Sequence, residues 1–287
     1  MAVQFDQRLA ERYDTLSTRL KAAGDYVVGH PVDVATRSLR AVSEESGVAP
    51  ATFSRLARAL EYNSFEELRD AMRIKITHRI NNFADRAQRL QETHGDKSQS
   101  FFPAHVSACL HNVESLAHQM DQAKLEEVVD CLYRSRQVLL FGALGSTGVV
   151  EYLSYMADFC TGNWHLASRM GASLGSSLSD LGEGDALIII TKPPFSPRVV
   201  RAAEVAHSQG AYVIVITDTH ACPALRFCSA SFIVPTESPH FYSSYVATMV
   251  LAETLVGMLV SRSGKDAQQR ISLIEESNRR LNEVSDG

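Results

Sequence analysis

Four short runs of consecutive apolar residues constrain this chain most: Val138-Leu139-Leu140-Phe141, Ala186 to Ile190, Tyr212 to Ile216 and Phe232-Ile233-Val234. Each is too short for a helix, and none alternates with polar residues. Such runs are expected of strands buried on both faces of a parallel sheet. Helical patterns at about 147–160, 197–209 and 242–262 separate or follow them, and a closing helix is expected at about 267–283. This is the β-α-β alternation of an open α/β sheet, in which ligands sit at the carboxyl ends of the strands.

The first ninety residues obey another period. Phe5, Leu9, Tyr13, Leu16 and Leu20, then Leu56, Leu60, Leu68, Met72, Ile76 and Ile80, recur at helical spacing, with breaks at Gly24, Gly29, Gly47 and Asn63. The expected class is therefore α followed by α/β. Residues 1–90 form an all-helical domain, 91–102 (QETHGDKSQSFF) a linker, and 103–287 the parallel-sheet domain. At 287 residues, two domains are expected.

Charge divides the same way. The chain has a formal net charge of −5, yet residues 1–95 hold 14 basic and 13 acidic side chains, and 51–90 hold 8 and 5. Attraction for a polyanion is expected only in the first domain. The longest apolar stretch, Tyr245 to Val260, is short of a membrane span and carries Glu253, so a buried helix and no membrane partner are expected. With no export pattern at the amino terminus, a cytoplasmic location is expected. The five cysteines lack C-x-x-C spacing and the histidines lack H-x-x-x-H spacing, so no metal site is expected.

Leu39 to Leu60 holds two short helical patterns joined at Gly47, a residue suited to a left-handed helix end, with Pro50 suited to the first turn of the second helix. This is helix-turn-helix spacing. Val48, Phe53, Leu56 and Leu60 are expected to face the core. Pro50, Ala51, Thr52, Ser54, Arg55 and Arg58 would stand at the outer surface and the amino end, where small, hydroxyl and arginine side chains suit a DNA major groove. A plain helical hairpin packed on something other than DNA fits the same spacing. Ala49 is a poor cap at the start of the second helix, and Ser64-Phe-Glu-Glu67 supplies a capping box for the next.

In the second domain the first strand runs into Gly142-Ala-Leu-Gly145-Ser-Thr-Gly148. G-x-x-G-x-x-G differs from the dinucleotide pattern, and no acidic residue stands where a ribose needs one, so no cofactor is expected. Ser146 and Thr147 at a helix start, Thr191, Lys192 and Ser196 in Thr191-Lys-Pro-Pro-Phe-Ser196, and Thr217 all fall at carboxyl ends of strands. Hydroxyls around a lysine suit a small anion. Taken singly, each hydroxyl suits a helix cap equally well.

Both halves together resemble the RpiR/MurR-type transcription regulators, a helix-turn-helix domain followed by a sugar isomerase (SIS) domain. The resemblance rests on Gly47-Val-Ala-Pro-Ala-Thr-Phe-Ser-Arg-Leu-Ala-Arg-Ala-Leu60 with Ser64-Phe-Glu-Glu-Leu68, on Gly145-Ser146, on Ser196 to Gly210, and on Val213 to Asp218. It implies a flavodoxin-like sandwich, a double-stranded DNA operator, a small anionic effector such as a phosphosugar, a homodimer or homotetramer, and no catalysis. Ala49 and Glu61 replace the family's usual Ser and Gly. Thr191-Lys-Pro-Pro-Phe-Ser196 replaces the S-x-S-G-x-T of sugar-phosphate-binding SIS domains, and its two prolines remove two backbone donors. Two other functions fit the same fold. One is an aldose–ketose isomerase, which needs a general base and offers Glu253 or His240; the other is a sugar-binding module that controls a protein partner.

Overall fold

The computed structural model describes residues 5–80, 83–95, 100–169, 171–220 and 222–284. The chain divides into two compact units. The first comprises Met1–Ala108 with Thr219–Ala221 and Glu237–Ser244, and the second the remainder.

Helices α1 (Phe5–Arg12), α2 (Thr18–Gly29), α3 (Pro31–Thr36), α4 (Leu39–Ser46), α5 (Pro50–Ala59), α6 (Phe65–Ile80) and α7 (Phe83–His94) belong to the first unit, and α8 (Phe101–Gln119) follows. Helix therefore occupies half of the expected linker: residues 91–94 finish α7, and 101–102 begin α8. Residues 96–99 lie outside the described residues. Phe5, Leu9, Val27, Val42, Phe53, Leu56, Leu60, Leu68 and Met72 form one continuous core. Full burial of side chains this size contributes about 1.5–3 kcal/mol each, which lets short helices hold together.

The second unit adds α9 (Gln122–Arg134), β1 (Val138–Gly142), α10 (Ser146–Cys160), β2 (Trp164–Leu166), α11 (Leu174–Leu178), β3 (Ala186–Ile190), α12 (Pro197–Ser208), β4 (Tyr212–Thr217), β5 (Ala230–Ile233), α13 (Val246–Ser263) and α14 (Lys265–Arg280). The five strands are parallel in the order β2-β1-β3-β4-β5. Strand pleating explains the continuous apolar runs. Val138, Leu140, Ile188, Ile190, Ile214 and Ile216 join one core with α9, α10 and α13, while Leu139, Phe141, Leu187, Ile189, Val213 and Val215 join the other with α11 and α12. Residues 138–141, 186–190 and 213–216 therefore all need to be apolar. The last strand is Ala230–Ile233, two residues earlier than expected, and β2 was not anticipated from sequence.

Among the described residues α13 is long and apolar enough, by length and composition alone, to cross a membrane. Its Ala247, Leu251, Ala252, Leu255, Val256 and Leu259 are buried in the core of the second unit.

One buried carboxylate pins the sheet at its amino end. Asp185, just before β3, has a fully buried side chain. It accepts hydrogen bonds from Arg136 Nε (3.0 Å) and Nη2 (2.6 Å), Gln137 Nε2 (3.3 Å) and Gly182 N (2.9 Å). Burial pushes its pKa up, but these donors outweigh burial and hold the carboxyl below its ordinary value. Asp185→Ala is therefore expected to cost about 1–3 kcal/mol, read as a lower urea midpoint. A depressed folded pKa stabilises above the unfolded value of about 3.9 and is lost as pH falls through it. The parent should lose stability below about pH 4 that the variant never had, and equal acid sensitivity in the two proteins would refute this.

Candidate functional site

In the first unit, α4 is capped by Ser38, whose Oγ accepts from Ala41 N (3.3 Å), and ends on Gly47 at φ +67°. Ser43 Oγ donates to Val48 O (2.7 Å), which ties the turn to the helix before it. Helix α5 then starts at Pro50 with Ala49 as an N-cap that makes no side-chain bond. Phe53, Leu56 and Ala57 are buried, and Phe53 sits edge-on to Tyr26 and Phe65 at ring centroid distances of 6.1 and 6.0 Å.

Pro50, Ala51, Arg55 and Arg58 are exposed, as expected, and Ser54 is half-buried with Oγ donating to Pro50 O (3.4 Å). Thr52 is corrected. It is 4% exposed, because positions 52, 56 and 60 form one i, i+4 row that faces the core, so its hydroxyl does not reach an outer groove. Arg55 Nε donates to Ala51 O (3.3 Å) along the helix surface. Glu61, where the family pattern has Gly, sits at φ +61°, a conformation glycine adopts without strain; its carbonyl accepts from Arg8 (2.8 Å) and its carboxylate pairs with Arg12. Glu67 closes the cap of α6 on Asn63 N (2.6 Å) while Ser64 Oγ accepts from Glu67 N (3.2 Å).

In the second unit, strand order reverses between β1 and β3, which opens a crevice at their carboxyl ends. The β1–α10 turn fits there because residue 142 is glycine: a Cβ would lie 2.7 Å from Ser146 O. The turn buries Ser146 and sets its Oγ 2.9 Å from Tyr245 OH at the start of α13. Lys192, the second residue after β3, is 7% exposed, with Nζ 3.5 Å from the centroid of the Tyr245 ring. Asp218, after β4, accepts from Thr236 Oγ1 (3.1 Å) and adds a negative charge near the lysine. Burial drives the Lys192 pKa down, against the opposing pull of Asp218, to about 7.

The six residues expected to hold an anion do not all converge. Ser146 and Lys192 meet through Tyr245. Thr191 is buried beside Lys192, and Ser196, the N-cap of α12, makes no capping bond. Thr147 turns away, its Oγ1 donating to Gly142 O (3.4 Å), and Thr217 is fully buried with its hydroxyl beside the Cys222 thiol. The amides of Ser146 and Thr147 donate to Ala143 O and Leu144 O, so neither is a spare donor for an anion. Tyr245 and the charge of Asp218 were missed as site residues. Glu253, one of the two bases an isomerase could draw on, is exposed about 12 Å along α13 from Tyr245 and accepts from Tyr152 OH (3.1 Å). A separate surface cavity of about 600 Å³ lies along α9, where Glu126, Glu127 and Asp130 line it and disfavour an anion.

Residues 131–258 match the SIS domain family model. The chain is 23% identical over 266 residues to the bifunctional protein glk of Burkholderia thailandensis, covering 91% of this chain and 41% of that protein. It thus spans about two fifths of the length of the first curated relatives it matches. It is 23% identical to an HTH-type transcriptional regulator of Haemophilus influenzae, over 77% of this chain and 76% of that one. Among solved structures, the sugar isomerase domain of an RpiR transcription factor from Sphaerobacter thermophilus matches at TM-score 0.59, with 17% identity over 62% of this chain and 99% of that one. The Vibrio vulnificus NanR protein complexed with ManNAc-6P matches at TM-score 0.58, with 16% identity over 97% of this chain and 99% of that one.

Proposed function

We propose that this chain, an RpiR-type protein with a helical first unit and a SIS domain, is a transcription regulator that binds DNA through α5 and senses a small anion at the carboxyl edge of its sheet. The observation that carries the reading is α5 itself. It is a ten-residue helix behind a left-handed glycine turn, with its apolar face buried and Pro50, Ala51, Arg55 and Arg58 exposed. Small residues at the helix start let it approach base edges, and the arginines supply phosphate or guanine contacts.

Two copies related by a two-fold axis would read an inverted repeat, because each copy presents the same helix to successive major grooves. An anionic effector fits because Lys192, buried against the Tyr245 ring, supplies a cation at this edge when protonated. Phosphosugars are one candidate class, since NanR is bound to ManNAc-6P in its structure. Pro193 and Pro194 leave the β3 loop short of the backbone donors a phosphate prefers, which also favours carboxylates. The isomerase reading has less support, because Glu253, one of its two candidate bases, is engaged away from the cluster. Such a regulator works in the cytoplasm, where its operator is. The test is selection of genomic fragments by the purified protein, followed by titration of the recovered sequence with and without candidate anions. Recovery of an inverted repeat is the expected result.

A further inference from the structure

Lys192 does more than place a charge at the sheet edge. Its amine sits on the face of the Tyr245 ring at 3.5 Å, in a residue 7% exposed. The ring's hydroxyl is in turn 2.9 Å from Ser146 Oγ, and Asp218 lies near enough to act on the lysine's charge. The next two residues are prolines, so the loop has no backbone donor at either position to hold an anion. An amine buried on an aromatic face with a carboxylate acting on its charge, on a loop stripped of donors, is suited to holding its ligand by a bond rather than by a cradle.

We infer that Lys192 forms an imine with a small anionic metabolite carrying an aldehyde or ketone, so that the effector is a 2-oxo acid or an open-chain carbonyl sugar acid captured covalently and reversibly. This rests on the sheet edge being the ligand site. The Lys192 Nζ lone pair attacks the carbonyl carbon as the C=O π bond opens onto oxygen; the nitrogen gives up one proton and the oxygen takes one up, which leaves a neutral carbinolamine. The carbinolamine then loses its hydroxyl group, protonated, as water, and nitrogen and carbon become doubly bonded. No oxidant or reductant is consumed. The nearest proton-carrying groups to the amine's surroundings are the Asp218 carboxylate, which acts on its charge, and the hydroxyl of the ring it sits on, itself bonded to Ser146. Burial holds much of the amine neutral near pH 7, the state that attack requires.

The test uses the full-length protein at pH 7 with glyoxylate as the probe and cyanoborohydride to reduce any imine to carboxymethyl-lysine, located by peptide mass spectrometry. Lys192 should be modified about tenfold faster or more than the average of the chain's five other lysines. Modification of Lys192 at or below that average overturns the inference. Glycolate, the same acid without the carbonyl, separates this failure from failure of the site itself. Thermal stabilisation by glycolate with no selective modification by glyoxylate refutes the imine alone; neither effect refutes both. Lys192→Arg keeps the charge and cannot form the imine, so it should respond to glycolate and lose the extra stabilisation that glyoxylate gives the parent. An equal response of parent and variant to glyoxylate counts against the bond.

Discussion

Replacing Arg55 and Arg58 together by alanine should lower operator affinity about a hundredfold or more, since a base or phosphate contact by arginine contributes roughly 1–3 kcal/mol and two are lost in each half-site. Both side chains are exposed on α5, and neither supports the core. Stability should therefore change by less than about 0.5 kcal/mol. The salt dependence should also become shallower, by about one unit of log–log slope for each phosphate contact removed. Thr52→Val is the matched control: it alters a buried position in the same helix and should leave DNA affinity unchanged. If the arginine variant binds its operator with parental affinity and slope, α5 is not the reading helix.

The second large effect concerns Lys192. Lys192→Met keeps most of the side chain's length and removes the cation, and should weaken a carboxylate or phosphate ligand about ten- to a hundredfold, the contribution of a charge-assisted hydrogen bond. The pH dependence has a definite sign. The groups near Lys192 are Asp218 and the Tyr245 phenol, and burial, opposed by Asp218, brings the lysine to about 7. An anion prefers the protonated amine, so binding is strongest below pH 7 and weakens as pH rises through it. A ligand without a carbonyl should bind about tenfold more weakly at pH 8 than at pH 6. Binding at pH 8 should also take up a proton, visible as a calorimetric enthalpy that depends on the buffer's ionisation enthalpy. The methionine variant should show neither effect; affinity that is flat from pH 6 to 8 in the parent would contradict the account.

Much of the fold was legible because burial on both faces of a sheet leaves no room for polar residues. Ala186 to Ile190 and Tyr212 to Ile216 could not have belonged to a half-solvated strand. Short β2 escaped because three residues, one of them exposed, carry too little pattern. Thr52 was misplaced for an instructive reason. Its hydroxyl suggested the outer face, whereas its spacing to Leu56 and Leu60 set it in the core row, and spacing governs. Glu61 shows the converse: the glycine of the family pattern marks a left-handed residue, and this chain adopts that conformation without the glycine.

At the carboxyl edge of the sheet, Ser146 and Lys192 were readable as residues at the ends of strands, because chain order alone places them there. Tyr245 was not. It reaches Ser146 from 99 positions later, and no local spacing signals that meeting. Thr147 and Thr217 had the right residue type at the right strand ends, yet their hydroxyls turn toward Gly142 O and Cys222. Hydroxyl direction depends on the turn's backbone, which composition does not reveal.

A ligand alters DNA affinity only if it binds two arrangements of the protein unequally. The decisive measurement is thus the affinity of the intact protein for its selected operator, titrated with a stabilising anion at pH 6.5. The account predicts a change of about fivefold or more in one direction, the lower range of measured coupling free energies, and its loss in Lys192→Met. An operator affinity that stays constant while the anion saturates the protein would contradict it.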